Sequence, residues 1–136
     1  MTTIFTKIIQ REIPGTFVYE DEQCVAFLSI NPISDGHVLV VPREEVDQWT
    51  DLSPDLSAHL FAVSRTLGRA LKRAFPCERI GLIIAGYEVN HCHIHVIPTS
   101  SMSDVSFANA KASVDRSHLE ECASRIVAAL AEIPLD

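Results

Sequence analysis

The sequence predicts an α+β fold, an antiparallel sheet of about five strands with two helices on one face, and three observations carry that expectation. Short strand-like runs that can pair through tight turns come first in the chain. One amphipathic helical pattern then lies between the central strands, and a second closes the chain. Finally, there is no regular strand-helix-strand alternation and no glycine-rich strand-to-helix turn, so a parallel doubly wound sheet is disfavoured.

Residues 17–20 and 23–29, rich in β-branched and aromatic side chains, flank Asp21-Glu22 and read as a hairpin. A turn-forming loop follows at 31–36, then the apolar run 37–42, closed by Pro42, reads as a mostly buried strand. Ser53-Pro54-Asp55 starts a helix: a serine oxygen to cap, a proline where no amide hydrogen is needed, and an acid at the positive end of the dipole. Leu56, Leu60, Val63, Leu67 and Leu71 then recur at helical spacing, and the helix should stop near Phe75-Pro76. Residues 80–85 read as a strand, 86–90 as a turn, and 91–97 as the last strand, ended by Pro98. The polar stretch 99–116 reads as an extended arm. A closing helix is expected from Ser117, with Glu120 completing a capping box and Leu119, Cys122, Ile126, Val127 and Leu130 on one side.

The 136 residues fit one domain, with 1–98 as core and 99–136 as arm and helix. The 47% hydrophobic and 21% charged content is that of a packed globular protein. A net charge of −7 with no basic run argues against a nucleic acid polymer as partner, while leaving a small phosphate compound open. No apolar run of about 18 residues could span a bilayer, and the N-terminus does not read as a secretory signal, so a cytoplasmic location is expected. Cys24, Cys77, Cys92 and Cys122 lack C-x-x-C spacing and read as reduced, mostly buried thiols.

Chemistry concentrates in His91-Cys92-His93-Ile94-His95. On a strand, alternate side chains share a face, so three imidazoles would line one surface roughly 6.5–7 Å apart while Cys92, Ile94 and Val96 enter the core. Histidines merely satisfied by hydrogen bonds are the plain alternative. A metal site is a second one, in which an H-x-H pair of the strand, joined by His37 and with the nearby Glu88 as a candidate carboxylate, would bind zinc or iron. The third is covalent catalysis at phosphorus, for which a neutral imidazole is both nucleophile and leaving group.

His91 to Ile97 resembles the H-x-H-x-H-x-x signature of the histidine triad (HIT) family of nucleotide hydrolases and transferases. The similarity extends from Ile4-Phe5-Thr6-Lys7-Ile8-Ile9 through Glu20-Asp21 and Ala26-Phe27 to Gly36-His37-Val38-Leu39-Val40-Val41-Pro42, covering roughly residues 3–98. The resemblance implies a HIT-like fold and a nucleoside phosphoramidase-like hydrolase or nucleotidyl transferase acting at the α-phosphorus through a nucleotidyl-histidine intermediate. It implies a purine nucleoside monophosphate conjugate as substrate, a homodimer, and no metal or other cofactor. His93 would be the nucleophile, His95 would bond the phosphate and His91 would orient and polarise His93. His37 would reach the phosphate region, Phe5, Ile8, Phe27, Ile30 and Val89 would hold the nucleoside, and Ser29 would meet the ribose hydroxyls. The chain departs from the family at Ser29, where an acid is common, and at Glu88, in place of a serine near the phosphate. A carboxylate there repels phosphate unless paired, so Glu88 is expected to orient His91 or to select an uncharged leaving group. Thr3 and Thr6 stand where some relatives carry cysteines for structural zinc. A catalytically weak nucleotide-binding adaptor and a metal-dependent enzyme are the rival functions.

Overall fold

A computed structural model of the chain describes residues 2–133. Five strands, β1 (Phe17–Glu20), β2 (Cys24–Leu28), β3 (Val38–Pro42), β4 (Arg79–Ile83) and β5 (Ile94–Thr99), form one antiparallel sheet in the order β1-β2-β3-β5-β4. Because β5 lies antiparallel to both neighbours, β3 and β4 run in the same direction, and the helix α2 (Pro54–Ala74) crosses between them. Helix α3 (Arg116–Ala131) packs on α2 and on β1.

The pleat assigns each strand residue to one of two cores. Val38 and Val40 face α2 and α3 with Cys24, Ala26, Leu28, Ile94 and Val96. Val25, Phe27, Leu39 and Val41 face the other way, beneath a short helix α1 (Ile4–Ile9) that contributes Phe5 and Ile8. A register shift between Phe17 and Tyr19 leaves Val18 as an extra residue in β1, so Phe17 serves one core while Val18 and Tyr19 serve the other.

Two expectations for helices need correction. Among the described residues there are three α-helices, since six residues of α1 are too few to reveal an amphipathic period; Thr3 caps it, its Oγ1 accepting the Thr6 N–H at 3.1 Å. The closing helix begins at Arg116 with Asp115 as N-cap and no side-chain capping bond, so the Ser117–Glu120 capping box does not form. Glu120 instead faces Arg116 across one turn at 3.8 Å. The start of α2 is as expected: Ser53 Oγ accepts the Leu56 N–H at 3.1 Å, and the helix ends where Phe75 precedes Pro76.

The last strand is also displaced. It spans Ile94–Thr99 rather than 91–97, because the Cys92 N–H is taken by the Val46 carbonyl at 2.7 Å, which anchors His91 and Cys92 to the loop after β3 instead of to a neighbouring strand. Pro98 does not end it. Its carbonyl accepts the Ser34 hydroxyl at 2.7 Å, and the ladder needs no donor at that position. The arm is not fully extended either, but carries 3-10 turns at Met102–Val105 and Phe107–Asn109. Among the described residues no helix is long and apolar enough to cross a membrane, and all four cysteines are free thiols, three of them buried.

Candidate active site

On the face away from α2 and α3, α1, the loop 84–93 and the arm cover part of the sheet, and between them opens a cleft of about 480 Å³. That volume suits a mononucleotide-sized ligand. Phe5, Ile8, Phe27, Ser29, Ile30, Glu88 and Val89 line it together with His37, His93 and His95. Of the expected site residues His91 alone stays outside the lining. Phe5 stands edge-on to Phe27 and to His93, with ring centroids 5.5 and 4.9 Å apart. Ile30 is 69% exposed at the rim, and Ser29 Oγ accepts the Asn31 N–H at 3.1 Å.

Hydrogen-bond partners fix which ring nitrogens carry hydrogen. The Ile33 N–H donates to His37 Nδ1 at 3.0 Å, so neutral His37 holds its hydrogen on Nε2 and donates it to His95 Nδ1 at 2.9 Å. His95 must then carry its own hydrogen on Nε2, a buried atom without a partner among the described residues that belongs to the cleft lining. Burial, with the neighbouring His95, pushes His37 down to about 3; burial, with His93, pushes His95 down to about 4. Both rings are therefore neutral near pH 7, and the Ile33 backbone amide, four residues before His37, orients an N–H donor into the cleft through the two rings.

His93 is held differently. Its Nδ1 donates to the His91 carbonyl at 2.7 Å, which turns Nε2 toward the cleft, and Glu88 Oε2 lies 2.9 Å from that atom. Burial would raise the Glu88 carboxyl, but its own backbone N–H and the His93 contact outweigh this and hold it below the usual carboxylate range. Glu88 thus pairs with His93 and not with His91, contrary to expectation.

His91 is also placed otherwise than expected. Its ring donates from Nε2 to the Pro42 carbonyl at 2.8 Å and accepts the Thr3 hydroxyl at Nδ1, 2.7 Å away. It orients His93 through its backbone carbonyl, while its ring ties α1 to the end of β3. Burial holds its pKa below the ordinary histidine value, partly offset by the Pro42 bond and by Glu45. Glu45 in turn accepts the Thr3 N–H and the Thr6 hydroxyl at 2.7 and 2.6 Å. Cys92 is no rival nucleophile, since burial pushes its thiol up to about 11.

Phe107 and Asn31 escaped the sequence reading. Phe107 stands edge-on to His95, centroids 4.8 Å apart, and Asn31 Nδ2 donates to the Lys111 and Ala112 carbonyls, pinning the arm beside the cleft. A lone aromatic in the otherwise polar stretch 99–116 was the available signal for Phe107.

Glu88, His93 and His95 bring donor atoms within 4.8 Å of one another, a spacing that a metal ion could bridge. Such an ion needs a lone pair on His95 Nε2, which the chain from the Ile33 amide gives a hydrogen instead. The arrangement suits an anion better: an N–H donor and a nucleophilic nitrogen converge beside an apolar slot.

An α+β sheet presenting alternating histidines to a nucleotide-sized cleft defines a nucleotide-binding, hydrolase-like class. The HIT domain signature matches residues 10–102, and the chain belongs to the histidine triad (HIT) family. It is 42% identical over 99 residues to an uncharacterised HIT-like protein of Methanocaldococcus jannaschii, covering 70% of this chain and 77% of that one. It is 31% identical over 100 residues to adenylylsulfatase HINT3 of Arabidopsis thaliana, covering 70% of this chain and 51% of the plant protein. Its structure superposes on a hypothetical histidine triad nucleotide-binding protein from Sulfolobus tokodaii with a TM-score of 0.83 and 28% identity, over 94% and 91% of the two chains.

Proposed function

We propose that the protein is a nucleoside phosphoramidate or phosphoester hydrolase, or a nucleotidyl transferase, that acts at the α-phosphorus through a nucleotidyl-His93 intermediate. The observation that carries this reading is the pair of ring nitrogens brought to the cleft: His93 Nε2, whose ring is fixed by the Nδ1 bond to the His91 carbonyl, and His95 Nε2, whose tautomer makes it an N–H donor. His93 would attack phosphorus, the leaving amine or alcohol would depart, and water would release the nucleoside monophosphate. His95 would stabilise the growing negative charge on a phosphoryl oxygen, where a preoriented donor counts most. Phe5, Ile8, Phe27, Ile30 and Val89 would sandwich a purine nucleoside, with Ser29 near the ribose.

The plant relative's name, adenylylsulfatase, supports a substrate that carries an adenylyl group. Replacing His93 with asparagine should lower turnover of a nucleoside 5′-phosphoramidate on the order of 10⁴-fold while leaving nucleoside monophosphate binding within a few fold. Acid-free mass spectrometry during turnover should find the wild-type chain heavier by one nucleotidyl group on a peptide containing His93. Retained turnover in the variant sinks the reading; nucleotide binding without hydrolysis by the wild type favours an adaptor. We further propose a cytoplasmic homodimer, which light scattering on the purified chain tests.

A further inference from the structure

We propose that Glu88 is a catalytic residue of the first displacement, taking the proton from His93 Nε2 as the phosphate enters and delivering it to the departing atom of the leaving group. The inference rests on the nucleotidyl-transfer reading above and adds what that reading leaves out, the source of the leaving group's proton.

The starting point is a contact that two lone pairs cannot make. His93 Nδ1 spends its hydrogen on the His91 carbonyl, an acceptor only, and Nε2 nevertheless lies 2.9 Å from Glu88 Oε2. One proton therefore sits between them. Nε2 cannot attack phosphorus until that proton has gone elsewhere. His95 cannot take it, since its Nδ1 accepts from His37 and its Nε2 already bears hydrogen; both His91 nitrogens are engaged with Thr3 and Pro42. Among the described residues around Nε2, the carboxylate of Glu88 is the acceptor that remains.

Glu88 is also built to carry the proton away. Attack in line places the leaving atom beyond the phosphorus, so the proton's carrier must swing off Nε2. His93 is 1% exposed and fixed, whereas the Glu88 side chain is 46% exposed on the loop 84–93 at the cleft. Once protonated it no longer repels the phosphate, which removes the conflict its presence poses.

The step balances. The His93 lone pair forms the nitrogen–phosphorus bond, the bond from phosphorus to the leaving nitrogen or oxygen breaks, and its electron pair receives the Glu88 proton. The carboxylate is left ionised. In the second step water adds to phosphorus, the nitrogen–phosphorus bond breaks, and one proton of that water restores the shared proton of the pair.

A general acid matters in proportion to how poorly the leaving group departs alone. The test uses the full chain and its Glu88→Gln variant under single turnover, following release from two derivatives of one nucleoside 5′-monophosphate, an alkylamine phosphoramidate and a p-nitrophenyl ester. Glutamine should slow release of the amine by about 10²–10³-fold and release of p-nitrophenolate by less than about fivefold. Equal slowing of both, no slowing of either, or greater slowing of the ester overturns the proposal. His93→Asn run in parallel separates the two levels: wild-type release rates in that variant would defeat the nucleotidyl-histidine reading itself, whatever Glu88 does.

Discussion

Val38, Val40, Ile94 and Val96 face α2 and α3, while their immediate neighbours Leu39 and His95 face the cleft and Val41 lies on the same side beneath α1. One side of the sheet is closed by helices of 21 and 16 residues, the other by a helix of six and a tethered arm. The long helices make the first side a continuous apolar core that secures the fold. Partial cover leaves the second side concave, and it buries four histidines at little cost because nearly every ring nitrogen has a partner. The exception, His95 Nε2, is the donor the cleft presents.

The largest expected effect separates the faces by pH. His37 and His95 lie at about 3 and about 4 in the fold, below the ordinary value of about 6.5 in an unfolded chain. Above pH 6.5 they are neutral in both states and contribute nothing. As pH falls through 6.5, the unfolded chain binds two protons that the fold refuses, so stability drops by up to about 2.7 kcal/mol per pH unit until the folded values are reached. Urea unfolding midpoints between pH 7.5 and 4.5 should trace that slope, and His37→Asn should shallow it; an unchanged slope in the variant would break the assignment.

Leu67→Ala, at a fully buried position of α2, should cost about 3 kcal/mol by creating a cavity on the helix side, with the KM for nucleotide substrates unchanged. Gly36→Ala should cost about 2 kcal/mol and disturb both faces. Gly36 has φ of +90°, and a Cβ there would lie 2.7 Å from the Phe75 ring, just ahead of His37. Its unfolding midpoint and its KM should therefore both worsen. Thr3→Ala should cost about 1–2 kcal/mol, since it leaves buried His91 Nδ1 without a donor, and should speed proteolysis within α1. Smallest is Phe107→Ala, where losing the edge contact to His95 should raise KM by a few fold, about 1 kcal/mol, without moving the midpoint.

Much of the fold was legible because its determinants are local. The stripe Leu56 to Leu71, the Ser53 cap and the alternating apolar runs each declare a structure within one or two turns of chain. Where local signals compete they mislead: Ser117 reads as the start of a helix that Asp115 caps, and Pro98 as the end of a strand that runs through it. The cleft residues Phe5, Ile8, Phe27, Ser29, Ile30, Glu88 and Val89 were named by resemblance, and the fold gathers them around one space. Their contacts were not legible. Nothing in the spacing 88 to 93 says whether a glutamate side chain meets the first histidine or the second.

The sequence by itself determined that three histidines alternate with apolar residues beside a sheet, since strand periodicity is a property of the backbone. Only the tertiary structure decided what each imidazole can do. Proton placement depends on partners far away in the chain, Thr3 for His91 across 88 residues and His37 for His95 across 58, and no local pattern encodes a hydrogen bond over such separations.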